Sequence, residues 1–142
     1  MRRVLAVSAA VLLATVAVAQ AGEKEDWGRI GQGRAFFLSN CVPCHGAFAQ
    51  GTGEGTDGLA RERLNLTRIK ERDGGQFNDM RVYQIVYGVN EVPLDGNREM
   101  PVWGRVIARH RSRGDNWARV QCASLVAYLK YIQDHPSAIP KE

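Results

Sequence analysis

The sequence predicts an all-α fold with long connections. Three observations lead there: apolar residues recur at helical spacing in three separate segments, no stretch reads as a convincing strand, and there is no internal repeat. The first helix is expected from Trp27 to about Asn40, where Ile30, Gly33, Phe36 and Phe37 fall at helical spacing. Gly31 and Gly33 each cost about 1 kcal/mol of helix propensity relative to alanine. A glycine kept inside a helix at that cost marks the close approach of another element. The second helix is expected from Asn78 to Val89, with Asn78 as its N-cap and Val82, Ile85, Val86 and Val89 as its apolar face. The third runs from about Trp117 to Gln133 and stops before Pro136. Between them, Gly46 to Arg63 is rich in Gly, Thr and charge, Glu91 to Arg98 is turn-rich, and Arg105 to Asn116 reads as a basic connection. Loops of this length are uncommon in a compact domain unless something fills the space inside them.

The 142 residues suit one domain, and at 44% apolar and 24% charged the chain is too apolar for disorder. Residues 1–21 read as a cleaved signal peptide. Met1-Arg2-Arg3 is a basic start, Val4 to Ala19 carries no charge, and Ala19-Gln20-Ala21 is a small-x-small cleavage site before Gly22. The apolar run is shorter than the ~20 residues a spanning helix needs, so no membrane span is expected in the mature domain, residues 22–142. The predicted address is the periplasm. Loss of Arg2 and Arg3 takes the 19 basic residues to 17, against 15 acidic ones. That balance, with no basic run interleaved with aromatics, argues against a nucleic-acid partner.

The chemistry is concentrated in Cys41-Val42-Pro43-Cys44-His45, a C-x-x-C-H sequence and the attachment signature of haem c. Two thiols three positions apart reach the two vinyl groups on one edge of a porphyrin, and the next residue sets an imidazole beneath the iron. A buried haem would also fill the space that the long loops leave. A thioredoxin-like pair would follow a strand, whereas here a helix precedes it. A zinc site would need two further ligands, and His110, Cys122 and His135 form no paired motif. Met100 leads the candidates for a sixth ligand. It lies in a turn-rich loop before Pro101 and Gly104, from which a thioether can cross a haem face without distorting a helix. Met80 belongs to the apolar region of the second helix, where core packing is its expected job. His110 sits between Arg109 and Arg111, and His135 precedes Pro136 in a tail. His110 or an open sixth position stands behind Met100.

Together these residues resemble the class I cytochrome c family over roughly Gly28 to Gln133. Gly33 and Phe37 stand where the family has a glycine and an aromatic before C-x-x-C-H. Leu125-Val126-Ala127-Tyr128-Leu129 is similar to the Leu-x-x-Tyr-Leu pattern of the family's C-terminal helix, and Met100 to Gly104 to its Met-Pro-x-x-Gly loop. Leu64-Asn65-Leu66-Thr67 is similar to a Leu-Thr element of bacterial members. The resemblance implies a cytochrome c fold, three to five helices wrapped around one haem held covalently by Cys41 and Cys44. It also implies iron ligated by His45 and Met100, and Gly33, Phe37 and Tyr128 at a crossing of first and last helices. Many members place after the motif a proline whose carbonyl accepts a bond from the axial histidine. There is no proline here between Pro43 and Pro93, so the partner of the His45 ring is open.

The expected function is transfer of single electrons between periplasmic or membrane redox partners, as a carrier rather than an enzyme. Alternatives are the haem subunit of a larger oxidoreductase, or a haem sensor or enzyme with an open sixth position. Arg105, Arg109, Arg111, Arg113 and Arg119 crowd the segment after Met100, so the expected partners are redox proteins with an acidic docking surface. Cys122 is in register with Leu125, Leu129 and Ile132 and is expected as a buried free thiol, with an intermolecular disulfide as the alternative. Asn65-Leu66-Thr67 fits the N-glycosylation pattern but stands in what reads as a bacterial export product. Gly51-Thr52-Gly53-Glu54-Gly55 imitates a phosphate loop without a preceding strand, and is expected to wrap the haem closely.

Overall fold

The computed structural model describes residues 26–56, 61–89, 100–110 and 114–138. The expected signal segment 1–21 and the turn-rich residues 91–98 lie outside them. In chain order α1 (Trp27–Asn40) leads into a single turn, α2 (Val42–His45). Two further single turns follow, α3 (Arg61–Leu64) and α4 (Ile69–Arg72). The longer helices α5 (Asp79–Tyr87), α6 (Trp103–His110) and α7 (Gly114–Asp134) complete the set. Among the described residues there is no strand, only an isolated bridge between Gln50 and Asn65. The fold is all-α.

Local chemistry accounts for the ends that frame α1 and α5. Asp26 caps α1 by accepting from the Arg29 N–H at 3.1 Å, and Asn78 caps α5 by accepting from the Arg81 N–H at 3.0 Å. The chain turns left-handed at Gly88 (φ 87°), which ends α5 at Tyr87. Val89, expected on the apolar face, therefore lies beyond the helix and is 62% exposed. Met80 is likewise not a core residue. It is 64% exposed in the first turn of α5, because the face that meets the core is the one carrying Val82 and Val86.

The segment expected as a basic connection contains a helix. Trp103, Val106 and Ile107 fall at helical spacing on the inner side of α6, while Arg105 and Arg109 are exposed on the other. The arginines hid a pattern that was present. α7 also begins at Gly114, three residues before the expected Trp117. The Tyr87 hydroxyl donates to Asp115 in its first turn, and Arg119 pairs with the same carboxylate at 2.7 Å.

α7 is the centre of the molecule and packs against α1, α5 and α6. It buries Ala118, Cys122, Leu125, Val126, Tyr128, Leu129 and Ile132. Cys122 is fully buried and unpaired, as expected, and burial pushes its thiol up to about 12. Such a thiol behaves as a small hydrophobe. The crossing with α1 falls at Gly33, where a Cβ would overlap the Ser124 carbonyl and lie 2.9 Å from the Tyr128 Cβ. Alongside, the Phe37 and Tyr128 rings pack at 5.6 Å with a 48° tilt. No helix among the described residues is long and apolar enough to cross a membrane.

Phe37 is completely buried at this crossing. Phe37→Ala should therefore lower unfolding stability by about 3–5 kcal/mol, measured by urea denaturation. A loss below ~1 kcal/mol would contradict the packing of α1 on α7.

Candidate functional site

The site begins where α1 ends. The Cys41 N–H donates to the Phe37 carbonyl at 2.8 Å, closing α1, and the Cys41 carbonyl accepts from the His45 N–H at 2.9 Å, opening α2. Pro43 suits the first turn of a helix, where an N–H has no partner to lose. Cys41, Cys44 and His45 stand at i, i+3 and i+4, which places all three on one face of the turn. The thiols are not joined to each other. Cys41 is buried, and its thiol is pushed up to about 12 by burial first and then by the nearby Cys122 and Cys44. The Cys44 sulfur is half-buried, 3.8 Å from the Gly55 carbonyl oxygen.

The partner of the His45 ring is the backbone carbonyl of Leu64, 2.7 Å from Nδ1. A carbonyl only accepts, so Nδ1 carries the proton, and in the neutral ring Nε2 is left with the free lone pair. Burial, the larger influence, lowers the His45 pKa from its ordinary 6.5, and the bond to Leu64 pulls weakly the other way. The ring is thus a neutral imidazole with one nitrogen fixed and the other available. Leu64 could not have been singled out from residue type, since a backbone carbonyl is common to every residue. Its only trace was the Leu64–Thr67 element in the family resemblance.

Residues 46–56 fold back on the Cys41–His45 turn. The Gly51 N–H donates to the His45 carbonyl at 2.8 Å, and a Cβ on Gly53 would overlap the Pro43 carbonyl. The glycine-rich loop thus lies against that turn itself. Ala49 is buried in the left-handed region (φ 57°), a conformation that costs alanine ~1–2 kcal/mol, and its carbonyl accepts from the Leu66 N–H at 2.7 Å. That bond and the Gln50–Asn65 bridge lay the segment around Leu64 beside the turn that follows His45. The Asn65 side chain accepts from the Thr67 N–H at 3.0 Å and the Thr67 hydroxyl at 2.6 Å, so it serves a local turn.

Met100 is half-buried and packs against the core at the entry to α6. Trp103, three residues on, sets its ring edge against Phe36 at 5.4 Å. His135 is exposed and stacks on Tyr131 at 4.3 Å. The His110 side chain, Arg111 and Arg113 lie outside the described residues. In the basic segment Arg119 is engaged with Asp115, whereas Arg105 and Arg109 project from α6. Tyr87 first, and then Arg119, hold the Asp115 carboxyl below its usual range.

These side chains have the chemistry that a thioether-attached haem needs: two unjoined thiols and a neutral, oriented imidazole on one face. They lack what a thioredoxin-type pair needs. A reactive thiol has a depressed pKa, and that of Cys41 is raised. Among the described residues no three His, Cys, Asp or Glu side chains gather to hold a bare metal ion. The chain matches no protein-family model, no curated protein and no solved structure.

The lowered His45 pKa has a consequence for stability when no group is bound to the ring. The unfolded chain takes up the proton near 6.5, while the folded ring resists it until lower pH, so stability falls as the medium is acidified through that range. Urea midpoints of haem-free protein should decline from about pH 7 to 5, and His45→Gln should flatten that decline. An equal slope in the variant would mean the ring titrates as it does in water.

Proposed function

We propose that the chain is a mono-haem c-type cytochrome of class I, exported through residues 1–21 and carrying single electrons between periplasmic redox proteins by way of its domain 22–142. The observation that carries the reading is the His45 Nδ1–Leu64 carbonyl bond beside two unjoined thiols on the same helical face. Covalent haem, when bound, supplies a one-electron iron couple. Cys41 and Cys44 would hold it through thioether bonds, and His45 Nε2 and the Met100 thioether would be the ligands of its iron. The Leu64 carbonyl keeps the proton on Nδ1, orients the ring and raises its basicity as a ligand. A methionine opposite the histidine raises the reduction potential relative to a second histidine. With His45 and Met100 both serving as ligands there would be little room for substrate, and the role would be that of a carrier. The cytochrome c fold belongs to the same proposal, and the α1–α7 crossing at Gly33, Phe37 and Tyr128 supports it.

The deciding experiment is on purified mature protein. One haem should survive acid-acetone extraction and denaturing electrophoresis, since thioether bonds do not depend on folding. Haem that washes out, or a mass equal to the bare polypeptide, overturns the reading. In the oxidised protein Met100→Ala should abolish the weak sulfur-to-iron charge-transfer absorption. Persistence of that band would remove Met100 from the ligand set.

Arg105 and Arg109 give the partner its chemistry. Both are exposed on the helix that follows Met100, so an acidic partner surface is the complement, with association raised ~10–10³-fold at low salt. Electron transfer to that partner should slow as ionic strength passes about 0.1–0.15 M, where the Debye length is about 8–10 Å. Arg105→Glu with Arg109→Glu should slow it further while leaving the spectrum unchanged. A bimolecular rate indifferent to salt and to charge reversal would reduce both arginines to solvated surface.

A further inference from the structure

The carbonyl on the His45 ring belongs to Leu64, the last residue of the four-residue turn α3. A single helical turn is marginal by itself, because nucleation costs more than its few bonds return. The carbonyl can hold the ring in place only if something outside the turn holds the turn. Two side chains do so. The Arg72 guanidinium donates from one nitrogen to the Glu62 carbonyl at 3.0 Å and to the Asn65 carbonyl at 2.8 Å, which bracket Leu64 in the chain. Gln133, in the last turn of α7, accepts from the Lys70 N–H at 3.0 Å and donates to the carbonyls of Leu66 at 2.9 Å and Leu129 at 2.8 Å. Its amide can point only one way, since a flip would set donor against the Lys70 donor. Leu129 is buried in the core, so Gln133 ties the segment after Leu64 to the buried stripe of α7. Neither side chain hydrogen-bonds to His45.

We infer that Gln133 and Arg72 are positioning residues for the His45 ring, acting through the Leu64 carbonyl. For its effect at iron the inference rests on the haem reading; for the Nδ1 hydrogen bond it does not. Loosening the turn lets the carbonyl withdraw, weakens the Nδ1–H bond and makes the imidazole a poorer donor. A poorer donor stabilises the oxidised iron less, so the midpoint potential rises.

The test uses mature holoprotein with Gln133→Glu, which keeps the acceptor and loses both donors, and Arg72→Met, which keeps the stem and loses the guanidinium. Lys130→Met is the control, since Lys130 lies one turn before Gln133 on α7 but pairs with Asp79 of α5 at 3.2 Å rather than with the Leu64–Lys70 segment. NMR of the reduced protein reads solvent exchange of the His45 Nδ1 proton, and electrochemistry reads the midpoint. Bonds behind a ligating histidine are worth about 10–100-fold in what they support, so exchange should quicken about tenfold in each variant. The midpoint should rise in both. Arg72→Lys, which can still donate to two carbonyls, should restore part of each change, and Lys130→Met should show neither. Native exchange and native midpoint in both Gln133→Glu and Arg72→Met would overturn the inference, as would equal changes in Lys130→Met. Should the isolated protein carry no haem, the haem reading falls, and Nδ1 exchange in that protein decides the positioning role by itself.

Discussion

The backbone contact of α1 with α7 at Gly33 is the constraint from which the rest of the structure follows. With no room for a Cβ against the Ser124 carbonyl and Tyr128, the two helices meet at closer range than side chains normally permit. That contact fixes both ends of the site. Cys41 lies eight residues down α1 from the crossing, about 12 Å at 1.5 Å per residue, and so comes to rest near Cys122. Gln133 lies nine residues down α7 from Ser124, about 13 Å, and there takes hold of the Leu66–Lys70 segment. The Cys41–His45 turn and the carbonyl that orients its histidine are therefore both referred to one close crossing. The ion pairs are peripheral by comparison. Those of Lys70, Arg119 and Lys130 join side chains exposed on both partners, where a pair is worth about 0–1 kcal/mol.

Burial also sets the electrical character of the site. Cys41 and Cys122 are held as neutral thiols, and His45 as a neutral ring with its proton assigned to Nδ1. An uncharged, oriented imidazole is what a metal ligand requires, and here desolvation and one backbone carbonyl produce it. Among the described residues no carboxylate hydrogen-bonds the ring. The left-handed conformation of Ala49 is consistent with a segment whose neighbours over-determine it, since its carbonyl serves Leu66 and its side chain is enclosed.

Much of this was legible in contiguous residues. The bounds of α1, the Asn78 cap and the buried stripe of Cys122, Leu125, Leu129 and Ile132 follow from spacing and residue type, and the partnership of Gly33, Phe37 and Tyr128 from the family resemblance. α6 is legible too, in Trp103, Val106 and Ile107, although its arginines interrupt the apolar period with charge. Met80 and Val89 were misplaced for a different reason. One sits in the first turn of α5 on the side away from its buried pair Val82 and Val86, and the other follows a left-handed residue that ends the helix.

The sequence by itself determined the helical class, the caps, and the gathering of Cys41, Cys44 and His45 on one face, because each of these is set by residues within a turn or two of one another. Only the tertiary structure decided which group orients His45, which residues hold that group, and where α7 pins the connecting segment. A backbone carbonyl carries no residue identity, and Leu64 comes to His45 across 19 residues while Gln133 comes to Leu66 across 67. Contacts made over such separations depend on where the α1–α7 crossing delivers each segment, and spacing along the chain does not encode them.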